Sequence, residues 1–189
     1  MGVDPGLTRC GVGIVRGGVG TPLELLGVGV IRTPSDLDHG ARLLRIHDGL
    51  EEWFDAHHPD AMAVERVFAQ HNRSTVAGTA QAMGLTQMIG ARHGVAVGVH
   101  TPSEVKAAIS GSGRADKAQV GLMVARVLHL EKPPTPADAA DALALAITHI
   151  WRGGTQSRIE AAMAVHQHSP ARTWRQRSAP RTRQDHHLR

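Results

Sequence analysis

Cysteine occurs once, at Cys10, so neither an internal disulfide nor a thiolate metal cage is available, and any bound metal must be held by oxygen or imidazole. Tyrosine is absent and aromatic residues make up only 3% of the 189-residue chain. Surfaces that hold single strands or RNA by stacking need several exposed rings, so that class of nucleic-acid binder is excluded. No run approaches the roughly 18 consecutive apolar residues of a membrane span, and the opening MGVDPGLTRCG lacks the charged-then-apolar profile of a secretory signal. The expectation is a cytoplasmic protein with no membrane association.

What is present is enough to fold. Hydrophobic residues reach 41% and charged residues 20%, which suits a buried core and a single domain of ordinary size with some chain to spare. The formal net charge of +4 raises the prior for a polyanionic partner. That charge is unevenly placed. Residues 152–189 carry eight arginines against Glu160 and Asp185, a balance of +6, which leaves residues 1–151 at −2. We read 1–151 as the folded domain and 152–189 as a basic, largely disordered tail, helical at its start, which either has no specific role or tethers the protein to DNA.

Along the body, strand character at residues 1–4, 8–15 and 23–31 predicts an antiparallel meander. Leu43, Ile46, Leu50 and Trp53 recur at helical spacing over 37–58. A short strand (60–67), a small-residue-rich helix (74–93), a strand (95–100), helices at 101–109 and 115–130 and a last apolar helix at 137–151 follow. Helical connections between the later strands imply parallel crossovers, hence an α/β fold with a five-stranded mixed sheet and helices on both faces.

Four acids fall where such a fold presents them at one edge. Asp4 ends the first strand before a Pro-Gly turn, Glu65 closes the apolar run AMAV, and Asp138 and Asp141 share a face of the last helix within ADAADALALAI. Each also fits a plainer role, Asp4 as a turn former and the helix pair as capping or dipole residues. Glu65 is harder to explain that way, because the only adjacent cation, Arg66, points to the opposite face. Converging acids without matching cations suggest divalent ions, and hard oxygen ligands suit Mg²⁺ or Mn²⁺. Two such ions support in-line hydrolysis of a phosphodiester.

These residues sit in blocks that resemble a known family: GVDPGLTRCG at 2–11, AVERVF at 63–68, TPSEVKAAISGSGRADKAQV at 101–120 and PADAADALALAITH at 136–149 look like RuvC, the bacterial Holliday-junction resolvases. The resemblance implies an RNase H-like fold and a homodimer that makes paired cuts in a four-way DNA junction. It also implies two Mg²⁺ per active site, replaceable by Mn²⁺, on Asp4, Glu65, Asp138 and Asp141, and a partnership with the RuvA-RuvB branch-migration complex. By the same resemblance Lys106 and Lys117 contact DNA near the cut and Phe68 stacks on a base, with Arg73 a phosphate contact. From spacing alone Phe68 also fits a core position and the lysines a solvated surface.

The face of the 74–93 helix that carries Ala77, Ala80, Met83, Gly84 and Met88 suits either a dimer interface or packing on the sheet. Only three residues precede Asp4, fewer than the five to six or so of an average strand. The 13 histidines form no motif. An actin-like ATPase reading of the Asp-Pro-Gly opening fails, because that chemistry needs two lobes. An RNase H-like nuclease with another substrate and a non-catalytic junction-binding module remain as alternatives; the second would not need all four acids.

Overall fold

The computed structural model describes the backbone of residues 1–67 and 73–167 and the side chains of 1–67 and 76–153. Residues Met1–Thr155 form one compact unit and Gln156–Arg189 a second. The first contains β1 (Gly2–Asp4), β2 (Arg9–Arg16), β3 (Glu24–Arg32), α1 (His39–His57), β4 (Met62–Glu65), α2 (Arg73–Arg92), β5 (Val97–His100), α3 (Pro102–Ser110) and α4 (Lys117–Val127). The last helix, α5 (Ala137–Gln167), starts in this unit and continues well past Trp151, where the sequence suggested it would stop.

The five strands form one mixed sheet in the order β3-β2-β1-β4-β5. The first three are the expected antiparallel meander, and β4 joins β1, and β5 joins β4, in parallel. Although β1 is short, it is tied on both sides: Val3 pairs with Val12 of β2 and Val64 of β4, and the Met1 carbonyl accepts from Ala63 N–H at 2.8 Å.

Helix starts follow local chemistry. Asp38 caps α1 by accepting from Ala41 N–H at 2.9 Å. Thr101 and Glu104 cap α3 reciprocally, with Pro102 in its first turn, and Asp116 and Gln119 do the same for α4. Because Asp116 serves as the cap, α4 begins at Lys117 rather than at Ala115.

Two cores lie on opposite faces of the sheet. On one, Val3, Cys10, Val12, Ile14 and Met62 pack against Ile46, Leu50 and Phe54 of α1 and Ala82 and Ile89 of α2. On the other, Ala63 packs with Val105 and Ile109 of α3, Val120 and Val124 of α4 and Leu143 and Ile147 of α5.

Candidate active site

Strand alternation places the two strand acids. Successive residues point to opposite faces, so Asp4 shares a face with Gly2 and Glu65 with Ala63. A Cβ on Gly2 would meet the backbone of Ala142 and Ala146, so that face is the one covered by α5. Each strand therefore runs from a small residue lying under the helix to a carboxylate at its carboxyl end, the edge where open α/β sheets bind ligands.

The helix acids arrive by close approach. Cβ atoms built on Gly11 and Gly13 of β2 would lie 2.1 Å from the Asp138 carbonyl oxygen and 2.9 Å from Leu143 N. No side chain fits there, so the first turns of α5 rest directly on the sheet backbone. Gly11 is the β2 partner of Asp4, which fixes Asp138 over the register of Asp4. Three positions on, Asp141 lies on the same side of α5.

The resulting electrostatics are those of crowded carboxylates. Burial, then the charges of Glu65 and Asp141, push the Asp4 carboxyl up to about 8 from an ordinary 3.8, against the opposing effect of Lys117. Burial and then Asp141 likewise raise Glu65, with Lys117 and Lys106 pulling the other way. Lys117 Nζ donates to Asp141 Oδ2 at 2.7 Å, and this bond is the main reason its own pKa is raised. Arg9, from the same face of β2 as Gly11, places Nε 3.0 Å from Asp138 Oδ2. The approach is out of line for a hydrogen bond, and that buried oxygen has no hydrogen-bond partner among the described residues.

Residues 1–149 match the family described as crossover junction endodeoxyribonuclease RuvC. The chain belongs to the RuvC family. A Cutibacterium acnes crossover junction endodeoxyribonuclease RuvC is 76% identical over 165 residues, 87% of this chain and 84% of that protein. The structure of Thermus thermophilus RuvC in complex with a Holliday junction substrate superposes with a TM-score of 0.78 at 33% identity, over 82% of this chain and 94% of that one. The yeast mitochondrial Holliday junction resolvase Ydc2, at 11% identity and a TM-score of 0.57 over 87% of this chain and 84% of that one, shares the fold alone. The fold is RNase H-like and the family activity is that of a crossover junction endodeoxyribonuclease.

Electrostatic coupling and shared facing bring together the acids inferred from the RuvC-like blocks, but one inference needs correction. The acids are not without cations: Arg9 stands on Asp138 and Lys117 on Asp141. Sequence reasoning missed Arg9 because its reach to Asp138 depends on α5 lying on Gly11, a contact between residues far apart in the chain. The repeated Gly in RCGVGIVR was the available signal. Lys106 is half-buried on α3 and acts electrostatically on Glu65. Phe68 lies outside the described residues, and Arg73 is the first residue of α2 with its side chain outside them.

The histidines are more structured than the sequence suggested. His100, the last residue of β5 and the register partner of Glu65, lies with Nε2 3.1 Å from His149 Nδ1 on α5. On the α1–α2 face, His93 Nε2 meets Glu51 Oε2 at 2.6 Å, and with Asp55 these residues bring three ligand atoms within 4.8 Å of one another. That group is held by the contact between Glu51 of α1 and His93, just past α2, and is separate from the acids at the sheet edge.

Proposed function

We propose that the chain is a Holliday-junction resolvase that makes paired, symmetric cuts in opposite strands of a four-way DNA junction during recombination and repair, with Asp4, Glu65, Asp138 and Asp141 as its catalytic carboxylates. The observation that carries this is the seating of α5 on Gly2, Gly11 and Gly13, which delivers the helix acids to the strand ends that bear Asp4 and Glu65. The junction-bound T. thermophilus relative supports the same substrate class.

The donor set fits two Mg²⁺ ions, with Mn²⁺ able to substitute. It is all oxygen, Asp138 Oδ2 is buried without a hydrogen bond, and burial and then the neighbouring carboxylates raise Asp4 to about 8, a cost that a cation would offset. Bound divalent ions supply activation of the attacking water and neutralisation of charge at the phosphate. The protein's own contribution is positional. The backbone contact at Gly11 holds Asp138 in register with Asp4, and Lys117 orients Asp141 while adding a cation beside the carboxylates. Lys106 adds positive potential at Glu65. Phe68 serves as the stacking residue and Arg73 as a phosphate contact.

A two-fold protein presents two identical sites to a substrate of near two-fold symmetry, so paired nicks follow from a homodimer. Supporting the interface on α2, Ala82, Thr86, Ile89 and Gly90 are buried within the chain, whereas Ala77, Ala80, Gly84 and Met88 are exposed. Residues 1–151 form the nuclease domain and 152–189 a basic arm. Removing 168–189, with its six arginines, lowers the salt slope of junction binding without moving the cuts; an unchanged slope in a binding titration contradicts a role for the arm. The enzyme works in the cytoplasm with the RuvA-RuvB complex. Among the described residues no helix is long and apolar enough to cross a membrane.

Incubation with a synthetic four-way junction and Mg²⁺ tests the reading. Symmetric paired nicks are expected; junction binding without nicks in Mg²⁺ or Mn²⁺ overturns the catalytic assignment.

A further inference from the structure

We infer that a second DNA site adjoins the carboxylates: a groove in which Arg9, Arg32 and Arg45 hold the phosphate backbone of one strand of the junction substrate. The inference rests on the junction-binding reading above.

The groove has a volume of about 600 Å³ and is lined by Thr8, Arg9, Arg32, Thr33, Pro34 and Arg45. It lies at the edge of the sheet that carries Asp4, where β2 begins and β3 ends. Arg9 and Arg32 are direct cross-strand partners, so their side chains leave the sheet together. Three arginines thus line one cavity with no carboxylate among its lining residues. Among the described residues neither Arg32 nor Arg45 forms an ion pair, and the carboxylate of Asp38, nearby in sequence, is engaged as the cap of α1. Of the three, only Arg9 has a carboxylate partner, Asp138, among the described residues; arginines gathered with so little compensating charge repel one another in the free protein, and a polyanion relieves that repulsion.

Hydrogen bonds order the site. Arg42 Nε donates to Thr33 Oγ1 at 2.9 Å and its Nη2 to Thr8 Oγ1 at 2.7 Å, fixing both hydroxyls that line the groove. Arg45 Nε donates to the Arg32 carbonyl at 3.0 Å, which anchors its stem and leaves its terminal nitrogens for an outside acceptor. Guanidinium forks match phosphate oxygens in pairs, and the Thr8 hydroxyl adds a neutral donor, the Thr33 hydroxyl being engaged with the Leu7 carbonyl. Arg9 joins the groove to the catalytic edge, since its Nε stands 3.0 Å from Asp138. A strand bound here is therefore led toward the carboxylates. A DNA strand carries one charge per about 3.4 Å of helix axis, close enough for neighbouring arginines to meet the same or successive phosphates.

The test is junction binding by full-length protein, measured by fluorescence anisotropy across a salt series without divalent metal, so that cleavage does not intervene. For Arg32→Gln/Arg45→Gln, affinity at low salt is expected to fall about 10-fold or more, and the log–log salt slope to decrease by roughly 2 per protomer, near 0.9 for each phosphate no longer neutralised. Arg32→Lys/Arg45→Lys should keep most of the slope. The control is Arg16→Gln/Arg92→Gln, which removes the same charge from the far end of β2 and the end of α2 and should stay near wild type. A wild-type slope in the glutamine variant, or an equal fall in the control, overturns the groove. Failure of the wild-type protein to bind the junction at all would instead overturn the resolvase reading on which it rests.

Discussion

On the side of the sheet that faces α1 and α2, bulky side chains meet bulky side chains: Val3, Val12, Ile14 and Met62 against Ile46, Leu50, Phe54 and Ile89. On the side that faces α5, Gly2, Gly11 and Gly13 let a helix lie against bare backbone. The first arrangement resembles any close-packed core, where apolar burial supplies the stability and volume-conserving swaps are tolerated. The second brings helix backbone against sheet backbone at those glycines, while side-chain packing continues beside them at Ala63, Leu143 and Ile147. Its product is a group of electrostatically coupled carboxylates at one edge, an arrangement whose cost Lys117 and Arg9 offset only in part. On the proposed function, the two faces divide the work between holding the fold and positioning the chemistry.

That division can be broken deliberately. Gly11→Ala puts a methyl group where the Asp138 carbonyl stands, 2.1 Å from the built Cβ, and backbone on both sides must move. Displacing the first turn of α5 by even about 1 Å is expected to cut junction cleavage by roughly 100-fold or more, with some loss of stability. Leu50→Ala acts on the opposite face, where Leu50 is fully buried. It should cost about 2–5 kcal/mol in denaturant unfolding while leaving cleavage per folded molecule unchanged. If Gly11→Ala cleaves normally, or Leu50→Ala loses cleavage while folded, the division between the faces is wrong.

A smaller effect concerns pH. In the unfolded chain Asp4 ionises near 3.8, whereas in the metal-free fold its carboxyl holds its proton up to about 8, and Glu65 is shifted in the same direction. The folded state then binds more protons than the unfolded state across that window, so stability falls as pH rises through it. Thermal melts of metal-free protein should shift down by a few degrees from pH 6 to pH 8.5, and Mg²⁺ should raise the melting temperature more at the higher pH, where it no longer competes with a proton. A melting temperature that rises with pH in metal-free protein contradicts the crowded-carboxylate account.

Much of this was legible in the residues. The meander, the parallel crossovers and the four acids follow from alternation, helical spacing and the carboxylates inside apolar runs. What was not legible depends on contacts between distant segments. Arg9 reaches Asp138 only because α5 rests on Gly11, and Arg45 of α1 meets Arg32 of β3 only because the helix returns to that edge of the sheet. Charge counting placed the positive balance in the tail, which obscured the arginines gathered beside the acids. The helical start expected for the tail proves continuous with the helix that begins at Ala137, a join hidden because polar composition after Trp151 lowers apolar periodicity without breaking a helix.

The central claim is that the acids at the sheet edge act in chemistry rather than in folding or DNA capture. The direct measurement compares junction binding and junction cleavage for Asp4→Asn and Glu65→Gln. Both variants should bind the four-way junction with near wild-type affinity and lose cleavage by at least about 1,000-fold, the scale expected when groups that stabilise the transition state directly are removed. Loss of binding together with cleavage, or cleavage that persists in either variant, would contradict it.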